Sequence, residues 1–208
     1  MKSIHLTQFR HPLYNPKGDE RSENCGPASL LMACRLKSKP LRPIPGLRDP
    51  ESTQDGIDAV RYWMFTQADG TTVDPSKDGI EQTSSGPRRA PAEHLTLVNL
   101  VDLERGAENL GFAYQRVKDF EALKRLVSSS SPILFAGDPS ASARYSERVG
   151  VDYSGGHVVL LLEYHGEDDR FLLCDPLSSK GPCWVDQSSL LEFAQSSPFR
   201  QALGLLLQ

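Results

Sequence analysis

A cysteine at the start of an apolar run is the first residue whose type and surroundings suggest chemistry. The stretch SENCGPASLLMAC, residues 22–34, places Cys25 before Gly-Pro and a series of strong helix formers. This composition predicts a buried helix from Cys25 to about Leu36, with Pro27 tolerated in its first turn. The positive N-terminus of a helix favours thiolate over thiol, so Cys25 is a candidate nucleophile. An inert buried cysteine is the alternative interpretation.

The neighbours of this cysteine add detail to the hypothesis. Gly26 is expected to let a substrate carbonyl approach the backbone, where the N–H of Cys25 would help to hold an oxyanion. Ser22 or Asn24 is the expected cap of the helix. Cys34 lies inside the apolar run and is predicted to be a core residue.

A nucleophilic thiol needs a base, and His157 is the best-placed of the five histidines. It follows Gly-Gly and opens the long apolar run HVVLLLEY, which predicts an ionisable ring at the start of a core strand. The other histidines lie in polar segments or near the N-terminus, and surface roles are expected for them: His5, His11, His94 and His165.

Asp175 is the candidate that would orient this base. Residues 157–164 and 170–175 flank the turn sequence HGEDD and predict a β-hairpin. In that hairpin His157 falls opposite about residue 175 or 177, which puts His157 and Asp175 on one face. A one-residue change of register would separate them, and a turn-starting Asp before Pro176 is the alternative role.

Gln8 is the candidate side-chain donor for an oxyanion. It ends a predicted short strand at residues 3–8, and an amide can donate a hydrogen bond without titrating. On the residues alone, Gln8 is merely a polar residue at a strand end.

The remaining elements must position these side chains. Residues 68–92 are predicted to form a long loop or a partly ordered insertion, with Asp69, Asp74 and Asp78 solvated, and residues 139–156 a second polar loop. Helices dominate the first half and strands the second, which predicts an α+β fold with helices on an antiparallel sheet. The helices are predicted at residues 55–67, 95–110, 119–129 and 188–197, and the further strands at 112–117, 132–138 and 201–208.

Composition narrows the class of protein. With 23 Lys and Arg against 27 Asp and Glu, the formal net charge is −4, which argues against a nucleic-acid-binding module. No apolar run approaches the roughly 18 residues of a membrane span, and the N-terminal residues lack the apolar region of a signal peptide. A reduced, cytoplasmic protein is expected, without a nucleic-acid or membrane partner; release by a route that needs no signal peptide stays open.

The four cysteines do not indicate a metal site or a disulfide framework. They lie at positions 25, 34, 174 and 183, contain no CxxC pair and fit no zinc spacing. Cys174 and Cys183 flank a Pro-Gly-rich turn, so a bond between them and two free thiols are both open. No metal and no cofactor are expected.

Taken together, these motifs resemble the papain-like cysteine peptidases of clan CA. The resemblance is carried by Gln8, Cys25-Gly26-Pro27, Gly156-His157 and Asp175-Pro176, in that order along the chain. It is greatest to the bacterial branch of double-glycine leader peptidases and their stand-alone relatives. Residues 37–94 match nothing in that pattern, and Gln8 lies farther from the cysteine than in the leader peptidases proper.

The resemblance implies a fold and an activity. It implies one papain-like domain over residues 1–208, with a mainly helical lobe at 1–110 and a mainly sheet lobe at 111–208. It makes Cys25 the nucleophile, His157 the base and acid, Asp175 the orienter and Gln8 the oxyanion donor of a cysteine endopeptidase that cleaves after Gly-Gly.

Several alternatives stay open beside that expectation. They are acyl transfer or transamidation, hydrolysis of a cell-wall peptide amide, and a non-catalytic module that binds peptides. The partners expected are a peptide or protein substrate and an inhibitor or immunity protein. The biological role is open between a processing enzyme and a delivered effector or toxin.

Overall fold

The computed structural model describes residues 4–8, 23–42, 44, 53–67, 69–74, 77–89, 98–117, 119–127, 131–195 and 204–208. These residues form two compact units. One unit comprises residues 8–112 and is mainly helical; the other comprises residues 1–7 and 113–208 and is built on a sheet. Within the described residues, helices and antiparallel strands together make the fold α+β, as predicted.

The helical unit is organised around α1 (Cys25–Leu36), which contacts both α2 (Thr53–Met64) and α3 (Leu100–Asn109). Residues 26–34 of α1 are all buried, because nearly every side chain in this stretch is small or apolar. A methyl group at Gly106 of α3 would lie 2.4 Å from Cγ of Met64 and 3.1 Å from Cδ2 of Leu30. The glycine therefore allows α3 to pack closely against both neighbouring helices.

The start of α3 has a complete capping box. The Asn99 side chain accepts from the backbone N–H of Asp102 at 3.0 Å, and the Asp102 carboxylate accepts from the N–H of Asn99 at 3.0 Å. The sequence predicted the helices at 55–67 and 95–110 to within a few residues at the ends that are described. Residues 95–97 of the second prediction lie outside the described residues.

The predicted loop at residues 68–92 contains regular structure. Strands β1 (Ile80–Thr83) and β2 (Gly86–Arg89) form a two-stranded antiparallel hairpin, with Thr83 paired to Gly86. Asp78, expected to be solvated, is buried and accepts a hydrogen bond from the N–H of Ile80 at 2.8 Å. Burial raises the pKa of Asp78, and the hydrogen bond from Ile80 lowers it. Burial has the larger effect, so the pKa lies above its ordinary value. Of the two alternatives for residues 68–92, this regular structure agrees with a partly ordered insertion and not with a plain loop. The turn residues that suggested a loop lie at the ends of these short strands.

The second unit contains a six-stranded antiparallel sheet in the order β3-β8-β4-β5-β6-β7. Five of these strands match the sequence predictions closely over the described residues, including the hairpin and the C-terminal strand. The strand at residues 183–186 was not predicted. The strand bounds are β3 (Tyr114–Val117), β4 (Ile133–Gly137), β5 (His157–His165), β6 (Arg170–Cys174), β7 (Cys183–Asp186) and β8 (Gly204–Leu207).

Three helices pack on this sheet. The first is α4 (Phe120–Val127), and the ring of Phe120 meets Phe135 of β4 and Phe171 of β6 edge-on at 6.5 and 5.7 Å. Helix α5 (Ala143–Val149) contacts β7, and α6 (Gln187–Gln195) contacts β4 and β7. All five residues of β4 are buried.

Three further sequence predictions fail. The predicted loop at 139–156 holds a 3-10 turn (Pro139–Ala141) and α5, whose first turn is capped by the Ser142 hydroxyl accepting from the N–H of Tyr145. A helix of seven residues is too short to show a clear apolar periodicity. Residues 4–8, predicted as a strand, are not in a strand. His5, expected at the surface, is half-buried there, with Nε2 2.9 Å from the carbonyl oxygen of Ser178.

Candidate active site

Cys25 is the first residue of α1, as the sequence predicted. The preceding Asn24 is the N-cap residue, and its carbonyl accepts the first helical hydrogen bond, from Ala28, at 2.8 Å. Cys25 is half-buried and forms no disulfide. The first turn of a helix presents backbone N–H groups that have no partner within the helix.

The side chain of Asn24 does not cap the helix, so that part of the prediction was wrong. Its Oδ1 accepts a hydrogen bond from Nε of Arg61 at 3.2 Å instead. The guanidinium of Arg61 is fully buried and also donates to the carbonyl oxygens of Glu23 and Lys77, both at 3.3 Å. One buried cation in α2 therefore fixes the two residues that precede Cys25.

Gly26 has a packing role that differs from the sequence interpretation. A methyl group at this position would lie 3.2 Å from Cδ2 of Leu103 and 3.2 Å from Cγ1 of Val98. The glycine is thus turned toward α3, and its lack of a side chain admits these two residues. The expected role of Gly26 in admitting a substrate carbonyl stays a prediction.

Cys34 is a core residue, as predicted. It is buried in α1, and burial raises the pKa of its thiol to about 12. A thiol with so high a pKa is not a nucleophile at neutral pH. The two cysteines of this helix therefore differ in environment, with only Cys25 at the helix N-terminus.

The structure brings His157 and Asp175 together. Nε2 of His157 lies 2.8 Å from Oδ1 of Asp175, and both side chains are at most 1% exposed. A carboxylate accepts hydrogen bonds, so this contact favours the ring tautomer that carries its proton on Nε2. Any proton that the ring takes up or gives away in a reaction must then pass through Nδ1.

The face shared by these two residues depends on a β-bulge. Near the turn His165 pairs with Arg170, and that register, if continued, would place His157 opposite residue 178. The register shifts between Leu161 and Glu163, and beyond it Leu160 pairs with Cys174, which continues to residue 177. Asp175 is two residues from that position, so it lies on the same face as His157.

Asp175 has two further partners. Its Oδ1 also accepts from the backbone N–H of Leu177 at 2.7 Å, and its Oδ2 accepts from the hydroxyl of Tyr145 at 2.7 Å. Burial would raise the pKa of Asp175, but the His157 ring and these three hydrogen bonds lower it below the ordinary range. The buried carboxyl is therefore an anion at neutral pH.

Tyr145 is a site residue that the sequence reasoning missed. It lies in α5, a helix that was predicted as loop, thirty positions before Asp175. Burial and the neighbouring Asp175 raise the pKa of Tyr145 well above its usual value, so the hydroxyl keeps its proton and donates. No local pattern around Tyr145 indicates a partner so far along the chain.

Phe193 of α6 forms the packing surface beside this group. Its ring stacks on Tyr145 at 4.6 Å and meets the His157 ring edge-on at 6.4 Å. Gly137, the strand partner of His157, makes room for it, since a methyl group there would lie 2.1 Å from Cδ1 of Phe193. The absence of a side chain at Gly137 thus allows the Phe193 ring to pack next to His157.

The carboxylate of Asp138 holds the loop that leads into His157. Oδ1 of Asp138 accepts from the backbone N–H of Ser140 at 2.9 Å and from the N–H of Gly155 at 3.2 Å. Gly155 has a φ of +139°, a conformation that side chains rarely adopt. Backbone geometry therefore accounts for Gly155, the first of the two glycines before His157.

Gln8 and the remaining histidines add little to the description of the site. Gln8 is buried in the helical unit, and its predicted role as an oxyanion donor stays a prediction. His165 is exposed, as predicted, with Nδ1 2.7 Å from Asp168. His11 and His94 lie outside the described residues.

Cys174 and Cys183 are free thiols. Cys183 pairs with Leu173 across β6 and β7, so Cys174, the next residue, belongs to the opposite face of the sheet. Burial raises the pKa of Cys174 to about 12 and of Cys183 to about 11. The open question of a bond between them is answered in favour of two unpaired thiols.

The sequence matches the Peptidase C39 like family over residues 4–196. The chain belongs to this family. It is a family of cysteine peptidases, which agrees with the resemblance noted from the motifs. No curated protein matches the sequence.

Two solved structures are similar to this family member. A Bacillus anthracis protein that carries the name C39-like peptidase has a TM-score of 0.51 and 14% sequence identity, and the match covers 99% of this chain and 94% of that one. Xylellain, a cysteine protease from Xylella fastidiosa, has a TM-score of 0.42 and 13% identity, covering 89% of this chain and 79% of that one. The first likeness, with the family match, confirms the papain-like α+β fold, and the second is too weak to support an argument.

Two searches of the described part of the chain give negative results. None of its helices is long and apolar enough to cross a membrane. None of its groups of His, Cys, Asp and Glu side chains is arranged to hold a metal ion.

Proposed function

We propose that this C39-like family member is a cysteine endopeptidase in which Cys25 is the nucleophile and His157, oriented by Asp175, is the base and acid. The observation that carries the proposal is the buried contact of 2.8 Å between Nε2 of His157 and the Asp175 carboxylate. It is the base–orienter pair that a thiol nucleophile requires.

The reaction proceeds in two halves. Nδ1 of His157 takes the proton of the Cys25 thiol, and the sulfur attacks the carbonyl carbon of the scissile peptide bond. The backbone N–H of Cys25 and the side-chain amide of Gln8 donate to the oxyanion. The imidazolium then protonates the leaving nitrogen, the C–N bond breaks, and a thioester remains on Cys25.

Water completes the cycle. His157 removes a proton from the water as its oxygen attacks the thioester carbonyl, and the thiolate leaves and regains a proton. Asp175 stays ionised throughout, because its lowered pKa keeps it an anion beside the imidazolium. No redox cofactor or metal enters any step of this sequence.

Two variants in α1 test the nucleophile. Cys25→Ala should abolish hydrolysis of a fluorogenic peptide library and covalent labelling by a thiol-directed peptide inhibitor. Cys34→Ala, nine positions on in the same helix, removes a thiol from the core and should retain both. Undiminished hydrolysis by Cys25→Ala would refute the proposal.

We further propose that the protein cleaves after Gly-Gly. The support is membership of a C39-like family together with the motif order that resembles the double-glycine leader peptidases. Incubating a proteome with wild type or Cys25→Ala and sequencing the new N-termini gives the residues before each cleavage site. Enrichment of Gly-Gly is expected, and equal cleavage of a matched peptide with Leu-Leu at those positions would exclude the preference.

A further experiment separates hydrolysis from acyl transfer. Mass spectrometry of products formed with an added amine distinguishes water from the amine as the acyl acceptor. The identity of the proteins that the wild type cleaves would distinguish a processing enzyme from an effector that has its own inhibitor.

A further inference from the structure

The second carboxylate oxygen of Asp175 has a partner that the mechanism has not used. Oδ1 faces His157 and the N–H of Leu177, whereas Oδ2 accepts the Tyr145 hydroxyl at 2.7 Å. Tyr145 and Asp175 are both fully buried. The bond is therefore a direct contact between side chains inside the sheet unit, on the oxygen that does not face the base.

The position of the Tyr145 hydroxyl is fixed by its surroundings. The ring stacks on Phe193 with centroids 4.6 Å apart and planes 27° from parallel. The backbone N–H of Tyr145 is held by the Ser142 hydroxyl, which itself donates to Glu192 of α6 at 2.7 Å. A buried aromatic ring held on its face and at its backbone has few alternative rotamers.

We propose that Tyr145 is a positioning residue that acts on His157 through Asp175, by fixing the rotation of the carboxylate that orients the ring. This inference rests on the proposed function, in which His157 is the base. Rotation about the Cβ–Cγ bond of Asp175 would carry both oxygens away from their donors. The bond from Tyr145 to Oδ2 therefore resists this rotation in addition to the two bonds on Oδ1. The tyrosine hydroxyl stays protonated during the reaction and exchanges no proton with substrate.

The charges around Asp175 decide which measurement reports on this contact. The titratable groups that act on it are His157 of β5, Tyr145 of α5 and Cys183 of β7, with Cys174 next to it in β6. Burial favours the neutral acid, and the Tyr145 hydrogen bond is one of the contacts that lower the pKa of Asp175. Removing that hydroxyl should therefore raise the pKa of Asp175.

Tyr145→Phe tests the inference, because it removes one oxygen and keeps the ring on Phe193. Hydrogen bonds to charged groups are among the stronger ones, so kcat should fall about ten- to a hundredfold, while KM changes little. The matched control is Ser178→Ala. It also removes a buried hydroxyl, one that donates to the carbonyl oxygen of Val149 at 2.7 Å and does not touch the Asp175 carboxylate.

A second readout does not depend on turnover. In ¹³C NMR titrations, with the Asp175 signal assigned from Asp175→Asn, the carboxyl should remain ionised in wild type and in Ser178→Ala down to acid unfolding. In Tyr145→Phe it should take up a proton at a higher pH. An unchanged titration, or an unchanged kcat in the folded variant, would overturn the inference.

The two readouts also separate this inference from the proposed function. If Tyr145→Phe shifts the titration but wild type hydrolyses no peptide, the carboxylate contact stands and the peptidase proposal fails. If wild type is active and Tyr145→Phe matches Ser178→Ala in both measurements, the peptidase proposal stands and Tyr145 has only a packing role.

Discussion

Gly137→Ala should be unusually destabilising for a substitution that adds a single methyl group. Gly137 ends β4 and is the strand partner of His157. The added carbon would lie 2.1 and 2.2 Å from Cδ1 and Cε1 of the Phe193 ring and 2.5 Å from the Phe193 carbonyl oxygen. Rotating the ring relieves only the first two contacts, so α6 must also move.

The magnitude follows from these contacts. Overpacking a core costs about 1–3 kcal/mol, and the displaced carbonyl also loses its 2.9 Å hydrogen bond from the N–H of Asp138, worth about 1 kcal/mol. The loss of unfolded-state entropy that accompanies Gly→Ala offsets about 0.5 kcal/mol. We expect the free energy of unfolding to fall by about 1.5–3.5 kcal/mol.

Urea denaturation followed by tryptophan fluorescence and circular dichroism measures this change. The matched control is Gly166→Ala in the β5–β6 turn, where the nearest atom is Cε1 of Tyr164 at an ordinary 3.6 Å. The control should be within about 0.5 kcal/mol of wild type, as surface substitutions usually are. If Gly137→Ala is equally mild, the close approach of Phe193 to the strand beside His157 is refuted.

Two further predictions concern the surroundings of the cysteines. At pH 7.5, brief iodoacetamide treatment should modify Cys25 alone, because burial holds the pKa of Cys34 and Cys174 at about 12 and of Cys183 at about 11. Peptide mapping of the modified protein checks this prediction. As the control, all four cysteines should be modified in denaturant. Modification of another cysteine before Cys25 in the native protein would contradict the prediction. Arg61→Leu should lower the free energy of unfolding by about 2–4 kcal/mol, since one buried and two partly buried acceptors lose their donor. An unchanged urea midpoint would show that these bonds contribute nothing.

Elements with a strong local pattern were predictable from the sequence. The start of α1 at Cys25 follows from helix formers after a Gly-Pro pair, and the β5–β6 hairpin follows from two apolar runs around a polar turn. Both place candidate residues at the ends of elements. The short helix α5 and the hairpin β1–β2 were missed, because these short segments contain no continuous apolar run of the kind that indicates β4 and β6.

The contacts that hold the candidate residues in place were not predictable, because they join distant parts of the chain. Arg61 reaches back to Glu23 and Asn24 from the next helix, and Tyr145 reaches forward to Asp175. Each is a common residue type within an unremarkable local sequence. Only the packing of helix on helix, or of helix on sheet, makes them neighbours of the site.

The pairing of His157 with Asp175 was predicted correctly, but regular alternation alone would not have produced it. The register fixed by the turn would put the two residues on opposite faces of the sheet. Leu162, the extra residue at the irregularity between Leu161 and Glu163, restores the shared face. A bulge disrupts the ladder locally and leaves one residue without a regular strand partner. Its position between the turn and His157 makes it part of what orients the base, since the contact of 2.8 Å requires that one additional residue.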